Sequence, residues 1–261
     1  MDWASLWFVL LGILLAGYAV LDGFDLGVGM LHLVLARDDT ERRLVLNSIG
    51  PLWDGNEVWL VTFGGALFAA FPEAYATAFS GFYLPFVLLL FALVFRAAAI
   101  EFRSKVRSPA WRSTWDGAFT AASLGAALLM GVTVGNLVWG VPLRDGVMRA
   151  GLLELLHPYA LLMGGMTVAL FAMHGSLFLY LKTEGELQER VVPWMWRTFG
   201  VFNALYVLVT IATLVERPEV TLHLRAYPAA PPAWRARRSR ARRSWSWCWS
   251  SCSAPRSTRT C

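Results

Sequence analysis

Two pairs of acidic residues stand inside apolar stretches of the sequence, where carboxylates are costly. Asp22 and Asp25 belong to GYAVLDGFDLGVGML, and Asp54 and Glu57 belong to GPLWDGNEVWLV. The members of each pair are three positions apart, so on a helix they share one face. A carboxylate in a bilayer needs a partner, a proton or contact with water, and intramembrane acids therefore often form ion or proton pathways. These four residues are the candidate proton carriers.

Other polar residues near these acids are predicted to support them. Tyr18 lies one turn before Asp22 on the same helical face, and Asn56 stands between the acids of the second pair. Arg96 and Glu101 follow in the third apolar stretch and at its inner end, and are candidate supporting or interface residues.

Three structural alternatives remain open for the acids. Asp22 and Asp25 could lie at the edge of the hydrocarbon layer, and acids at a helix start could merely complement the helix dipole. Arg96 and Arg103 could also neutralise the carboxylates as buried ion pairs with a purely structural role.

The composition indicates what kind of element carries these residues. Of 261 residues, 57% are hydrophobic and 16% charged, and several apolar runs reach about 20 residues, the length of a membrane span. The predicted fold is therefore all-α, a polytopic transmembrane helical bundle. Six spans are expected, at about 4–31, 51–71, 78–100, 117–138, 158–181 and 197–215. Gly23 and Gly27 form a small-residue pair that lets another helix approach the first span.

The basic residues predict the orientation of these spans. Eleven Lys and Arg residues fall in the segments 37–50, 96–116 and 182–197, against two on the opposite side. Basic loops face the cytoplasm, so the N-terminus is predicted outside, and the four acids are expected to converge near the cytoplasmic side.

The end of the chain differs in character from the rest. The formal charge of +5 arises there, because the last 46 residues hold ten Arg against two Glu. We expect a membrane domain at 1–227, incomplete, and an aberrant, disordered basic tail at 228–261. An Arg-rich tail could bind anionic lipid or nucleic acid, but a frame change in a GC-rich gene explains its composition better, and no nucleic-acid partner is predicted.

The sequence offers few ligands for a cofactor. All three cysteines lie in the tail, so the membrane body has no thiolate metal site. His32, His157 and His174 lack a paired spacing and are expected to hydrogen-bond neighbours rather than ligate haem. Asn136 is expected to form an interhelical hydrogen bond.

The two acidic motifs, in this order and on adjacent spans, resemble subunit II of the bacterial cytochrome bd quinol oxidases, a family that includes cyanide-insensitive oxidases. FYLPFVLLLFALVFRAAAIEFR and HPYALLMGGMTVALFAMHGSLFLYLKTEG extend the resemblance to about residue 227. Members of that family normally carry eight spans.

The resemblance implies an inner-membrane subunit of an aerobic respiratory oxidase. Its expected partner is a subunit I that holds two b-type haems and one d-type haem, oxidises quinol and reduces dioxygen to water. This chain itself would bind no cofactor, stabilise subunit I, contact lipid and quinone, and help to take up protons from the cytoplasm. A small single-span accessory subunit is a further expected partner.

Two other functions remain as alternatives. A proton- or cation-coupled transporter would use the same acids and the glycine-rich first span, although the second half shows no repeat of the acidic motif. A purely scaffolding subunit would use the acids only for structure.

Overall fold

The computed structural model describes residues 2–141, 143–144, 147–148 and 151–217. Nine helices and one two-stranded antiparallel hairpin fall within these residues. The helices are α1 (Trp3–Leu35), α2 (Asp39–Ile49), α3 (Trp53–Ala70), α4 (Pro72–Gly81), α5 (Tyr83–Phe102), α6 (Pro109–Trp139), α7 (Leu152–Leu155), α8 (Pro158–Lys182) and α9 (Gly185–Glu216). The hairpin strands are β1 (Leu143–Arg144) and β2 (Val147–Met148).

Five of the described helices are long and apolar enough to cross a membrane: α1, α5, α6, α8 and α9. The prediction of a multi-pass helical membrane protein is confirmed. The predicted second span corresponds to α3, which has 18 residues and is not among the five. Its first turns carry Asp54, Asn56 and Glu57, and these polar side chains lower its mean hydropathy.

The helix ends extend beyond the apolar stretches that predicted them. α6 begins at Pro109 rather than near 117, and α9 begins at Gly185 rather than near 197. Hydropathy detects only the part of a helix that suits lipid, whereas the backbone hydrogen bonds continue through polar turns at the membrane surface. The segment after the first span, expected as a loop, is the helix α2. Asp38 caps it by accepting from the backbone N–H of Glu41 at 2.8 Å.

The core of the bundle is built around α1 and α6. α6 packs against α5 and α8, and α1 packs against α3, α6 and α8. α1 and α8 are closest at Gly27 and Gly175. A Cβ at Gly27 would overlap the carbonyl oxygen of Phe171 and lie 2.8 Å from the Cα of Gly175. The close helix approach expected at Gly23 and Gly27 is therefore confirmed, and α8 is the helix that approaches.

The chain divides into two units, Met1–Val209 and Thr210–Cys261. The first holds α1–α8 and most of α9. Of the second, the structure describes residues 210–217, which include the end of α9. The predicted basic tail at 228–261 lies outside the described residues, and its boundary stays a prediction.

Candidate functional site

The first acidic pair lies inside the bundle. Asp22 and Asp25, on α1, have no exposed surface, and neither has Arg96, on α5. The two terminal nitrogens of Arg96 donate to the two oxygens of Asp22, at 2.8 Å from Nη1 to Oδ2 and 2.5 Å from Nη2 to Oδ1. This bidentate ion pair compensates both charges at a place where neither side chain reaches solvent.

α3 brings two more polar side chains to the same place. Oε1 of Glu57 lies 3.6 Å from Nη2 of Arg96. Asn56 donates from Nδ2 to Oδ2 of Asp25 at 2.7 Å and to the backbone oxygen of Leu21 at 3.1 Å. The other oxygen of Asp25, Oδ1, is buried and accepts no hydrogen bond from any residue that the structure describes. Asp25 thus keeps one carboxylate oxygen available.

Five of the eight residues predicted for the site meet in one group, which we call the acidic cluster: Asp22, Asp25, Asn56, Glu57 and Arg96. Tyr18 is buried beside it and interacts electrostatically with Asp22. Asp54 is instead exposed in the first turn of α3, and Glu101 is exposed near the end of α5. Three of the four predicted carboxylates therefore converge, because Glu57 lies nearly one turn further along α3 than Asp54.

A second charged group forms nearer the end of α1, around Asp116 on α6. Asp116 is fully buried and accepts hydrogen bonds from Nε of Arg103 at 2.5 Å and from Nη1 of Arg42 at 3.1 Å. Nε2 of His32 lies 2.7 Å from the same carboxylate. Asp116 thereby joins α1, α2, α6 and Arg103, the residue that follows α5.

Asp39, at the start of α2, extends this group toward solvent. It accepts from Nη2 of Arg103 at 2.8 Å and from Nη1 of Arg112 at 2.7 Å. We call the whole group the arginine cluster: His32, Asp39, Arg42, Arg103, Arg112 and Asp116. Arg103 is thus engaged with the aspartates of α2 and α6, and the possibility that it neutralises the acids of α1 and α3 is not borne out.

Sequence reasoning did not single out Asp116. The available signal was its place in the eighth position of α6, a helix apolar enough to span a membrane. An acid in such a helix is a candidate functional residue by the same argument that selected Asp22. Its partners could not be read from the sequence, because Arg42 lies 74 positions before it and His32 lies 84 before it.

The three histidines that we considered as haem ligands each contact other residues of the bundle. His32 is fully buried, its ring packs edge-on against Phe119, and its Nε2 lies 2.7 Å from Asp116. Nε2 of His174 lies 3.0 Å from the backbone oxygen of Val20, and Nδ1 of His157 accepts from the backbone N–H of Ala160 at the start of α8. Among the described residues, no group of three or more His, Cys, Asp or Glu side chains is arranged to hold a metal ion.

Asn136 forms the interhelical hydrogen bond that its place in the sequence predicts. Its Nδ2 donates at 2.8 Å to the oxygen of Val132, in its own helix, and at 2.8 Å to the oxygen of Leu155, in α7. It therefore ties α6 to the short helix of the following connection.

Glu41 joins α2 to α9 at the edge of the arginine cluster. Its Oε2 accepts from the backbone N–H of Arg37 at 2.7 Å, and its Oε1 accepts from the guanidinium of Arg190. The hydrogen bond from Arg37, and after it the contact with Arg190, lower the pKa of Glu41 below its ordinary value of 4.5.

We expect Glu41→Gln to lower the stability of the protein by up to about 1 kcal/mol at neutral pH. A carboxylate whose pKa is lower in the folded state stabilises it above the unfolded pKa and loses that effect as the pH falls through the folded pKa. The difference in stability between wild type and variant should therefore be constant at pH values above the ordinary pKa of 4.5 and shrink at lower pH. Thermal unfolding in detergent across this pH range measures it.

The control for this prediction is Glu186→Gln. The Glu186 side chain is 91% exposed and lies 3.9 Å from Arg190, so its loss should change nothing measurable. If the wild type were more stable than Glu41→Gln by the same amount at about pH 3 as at neutral pH, the prediction would be contradicted.

Residues 3–255 match the sequence profile of a family described as "Cytochrome bd terminal oxidase subunit II". This match continues past residue 227, where the resemblance noted from the sequence ends. Among curated proteins, "Cytochrome bd-I ubiquinol oxidase subunit 2" of Escherichia coli (strain K12) is 47% identical over 190 residues, which are 71% of this chain and 50% of the relative.

Two further curated proteins are similar to this chain. "Probable cytochrome oxidase subunit 2" of Haemophilus influenzae (strain ATCC 51907 / DSM 11121 / KW20 / Rd) is 45% identical over 190 residues, 71% of this chain and 50% of the relative. "Cytochrome bd ubiquinol oxidase subunit 2" of Bacillus subtilis (strain 168) is 40% identical over 228 residues, 84% of this chain and 67% of the relative. The chain spans about half the length of the first curated relatives that it matches.

Proposed function

Because this chain belongs to the cytochrome bd terminal oxidase subunit II family, we propose that it is the haem-free membrane subunit of a quinol:oxygen oxidoreductase in an aerobic respiratory chain. Its partner is a subunit I that carries two b-type haems and one d-type haem and performs the catalysis. That partner oxidises quinol and reduces dioxygen to water. The complex lies in the bacterial inner membrane, with the N-terminus of this chain outside, and a small single-span subunit completes it.

Family membership favours this function over a transporter, and no feature of the described residues favours the transporter independently. A purely scaffolding role is the remaining rival, because it needs the same partner but no proton transfer. The acidic cluster supports the proton role, because Asp25 keeps a buried oxygen without a hydrogen-bond partner among the described residues, and a scaffold does not require one.

The cluster divides its carboxylates between two roles. Both oxygens of Asp22 accept from Arg96, so this residue is a fixed anion that holds the guanidinium in place. Asp25 has its Oδ2 held by Asn56, while its Oδ1 is free to bind a proton. The available oxygen of Asp25 is the observation that carries the proposal.

Protons from the cytoplasm reach Asp25 through α3. Asp54 is exposed at the start of this helix and takes up the proton, and Glu57, with a side chain 24% exposed, passes it inward. The two acids are three positions apart on one face of the helix, which brings their side chains within a turn of each other. Each transfer moves one proton between carboxylate oxygens or through a bridging water.

The complex itself is tested by copurification. A tagged form of this chain is expressed together with the haem-bearing subunit, and the reduced-minus-oxidised spectrum of the purified material is recorded. We expect the bands of b-type and d-type haem, and no such bands when this chain is expressed alone. Tagged, folded protein that carries neither partner nor haem would overturn the assignment to a working complex.

Asp25→Asn is expected to slow oxygen consumption by the complex at least tenfold, with the haem content unchanged. The amide keeps the size of the carboxylate and its contact with Asn56 but cannot carry a proton. Oxygen uptake with saturating quinol, normalised to haem, measures the effect. Glu73→Gln, which changes an exposed carboxylate in the first turn of α4, is the control and should leave the rate unaltered.

Wild-type turnover in Asp25→Asn with full haem content would rule out a proton role for this residue and favour the scaffold. Loss of haem in this variant would show instead that the carboxylate is needed for assembly.

A further inference from the structure

A line of small and polar side chains runs between α1 and α6, and we call it the seam: Asp25, Gly29 and His32 from α1, and Asp116, Thr120 and Ser123 from α6. On each helix the three positions are separated by three or four residues, so they share one face. The seam joins the acidic cluster, through Asp25, to the arginine cluster, through His32 and Asp116.

Two contacts fix how the helices meet along the seam. At one end His32 lies 2.7 Å from Asp116. In the middle a Cβ at Gly29 would overlap the hydroxyl of Ser123 and lie 3.2 Å from the ring of Phe119. The missing side chain of Gly29 therefore makes the space that the Ser123 hydroxyl occupies.

Four polar atoms in the seam are buried and make no hydrogen bond with any described residue. They are Oδ1 of Asp25, Oγ of Ser123, Oγ1 of Thr120 and Nδ1 of His32. Buried polar groups in proteins almost always bond to protein or to ordered water, and an unsatisfied group costs about 1–3 kcal/mol. The spacing of their residues places these four atoms along the facing sides of α1 and α6, where leaving all of them unsatisfied would lower the stability of the protein unless water bonds to them.

The spacing along α1 suits water. Asp25 and His32 are seven positions apart, a rise of about 10.5 Å, and Ser123 meets α1 at Gly29, between them. The rise along the helix is about 6 Å from Asp25 to Gly29 and about 4.5 Å from Gly29 to His32, and one water with two hydrogen bonds of about 2.8 Å spans separations of this order.

The chemistry at the His32 end determines how such a water is held. A carboxylate ionised by its arginine partners can only accept, so Nε2 of His32 carries the hydrogen that Asp116 receives. Nδ1 is then the ring nitrogen that is left to bond to a water. Arg42 and Arg103 contact the same carboxylate, so Asp116 is held by both guanidiniums and in turn fixes the orientation of the His32 ring.

We propose that the seam is a buried water site that hydrates Asp25 from the His32 end. Two or three waters bridge Nδ1 of His32, the hydroxyls of Thr120 and Ser123, and Oδ1 of Asp25. The site rests on the proposed function in one respect, because it concerns the oxygen of Asp25 that binds the proton. Water in the seam gives this oxygen a second contact, in addition to the route through Glu57.

The test measures hydrogen exchange at one thiol in the seam. The three cysteines of the chain, Cys248, Cys252 and Cys261, are first replaced by serine, and Ser123→Cys is introduced. Membranes containing the complex are transferred to D2O, and the conversion of the S–H infrared band to the S–D band is followed. We expect exchange at least ten times faster than in a dry control site, because the thiol contacts exchangeable water.

Ser176→Cys is the matched control. Ser176 has no exposed surface, as Ser123 has none, but it lies on α8 and its hydroxyl bonds to the backbone oxygen of Met173 at 2.7 Å. Equally slow exchange at the two positions would overturn the water site. A second variant, His32→Phe in the Ser123→Cys background, should slow the exchange, and an unchanged rate would exclude His32 as the residue that holds the water.

This test separates the water site from the proposed function. If Asp25→Asn leaves oxygen consumption unchanged, the proton role fails while the thiol exchange still decides the seam. If Asp25→Asn is slow and Ser123→Cys does not exchange, the seam is dry and protons reach Asp25 through α3 alone.

Discussion

Arg96→Met is expected to abolish the stable fold of this protein. The substitution leaves the carboxylate of Asp22 buried without its bidentate partner and removes the cation nearest to Glu57. Breaking a buried ion pair from one side costs about 3–5 kcal/mol. That cost is comparable with the whole stability of many proteins. The yield of monodisperse protein after detergent extraction measures the effect, and we expect little or none.

A double variant distinguishes lost charge compensation from lost packing. Arg96→Met combined with Asp22→Leu replaces the pair by apolar side chains, an exchange that is often neutral for a buried pair. We expect it to recover most of the yield. Arg112→Met is the single control, because that guanidinium is 29% exposed and its pair with Asp39 is worth less than about 1 kcal/mol. Normal yield of Arg96→Met, or no recovery in the double variant, would contradict this explanation.

Gly27→Leu is expected to separate α1 from α8. Any Cβ at this position would overlap the carbonyl oxygen of Phe171 and lie 2.8 Å from the backbone of Gly175. Both obstacles are main-chain atoms, so no change of rotamer relieves them and the helices must move apart. Overpacking of this kind costs about 1–3 kcal/mol for small insertions and more where backbone must shift. Thermal stability of the extracted protein should fall steeply.

Gly125→Ala and Gly165→Ala provide the comparison for Gly27→Leu. Both glycines lie inside helices, and a Cβ at either would meet nothing within 4 Å. Alanine in a helix interior is favoured over glycine by about 0.5–1 kcal/mol, so these variants should match or exceed wild-type stability. A Gly27→Leu protein as stable as wild type, or equal losses of thermal stability in all three variants, would show that Gly27 is not required for the close approach of α1 and α8.

Much of the architecture could be predicted because lipid imposes a strong rule on sequence. A membrane span needs about 20 apolar residues, and α1 and α8 follow that pattern nearly to their ends. The start of α9 could not be predicted from hydropathy, because the first turns of this helix are polar and precede the apolar stretch. The helix α2 was missed for a related reason, since it is helical through its Asp38 cap and its burial against neighbours rather than through apolarity.

The acidic cluster was predictable in part. The spacing of Asp22 and Asp25 placed them on one face of a helix, and the position of Arg96 at the end of its apolar stretch made it a candidate partner. The exposure of Asp54 was not predictable, because it depends on where α3 begins, and α3 begins only one residue before it. The arginine cluster depends on contacts among four elements, and no local pattern reveals which charges will meet.

The ion pair between Asp22 and Arg96 has a consequence for the biogenesis of the protein. The two residues are 74 positions apart, so the ribosome makes the first membrane helix long before the cation that completes it. At synthesis rates of about 5–20 residues per second, that interval is about 4–15 s. During this time the carboxylate of Asp22 lacks the guanidinium that pairs with it in the folded protein. Until the arginine helix arrives, this helix therefore needs another way to accommodate the carboxylate: a bound proton, or a place in the translocon that is in contact with water.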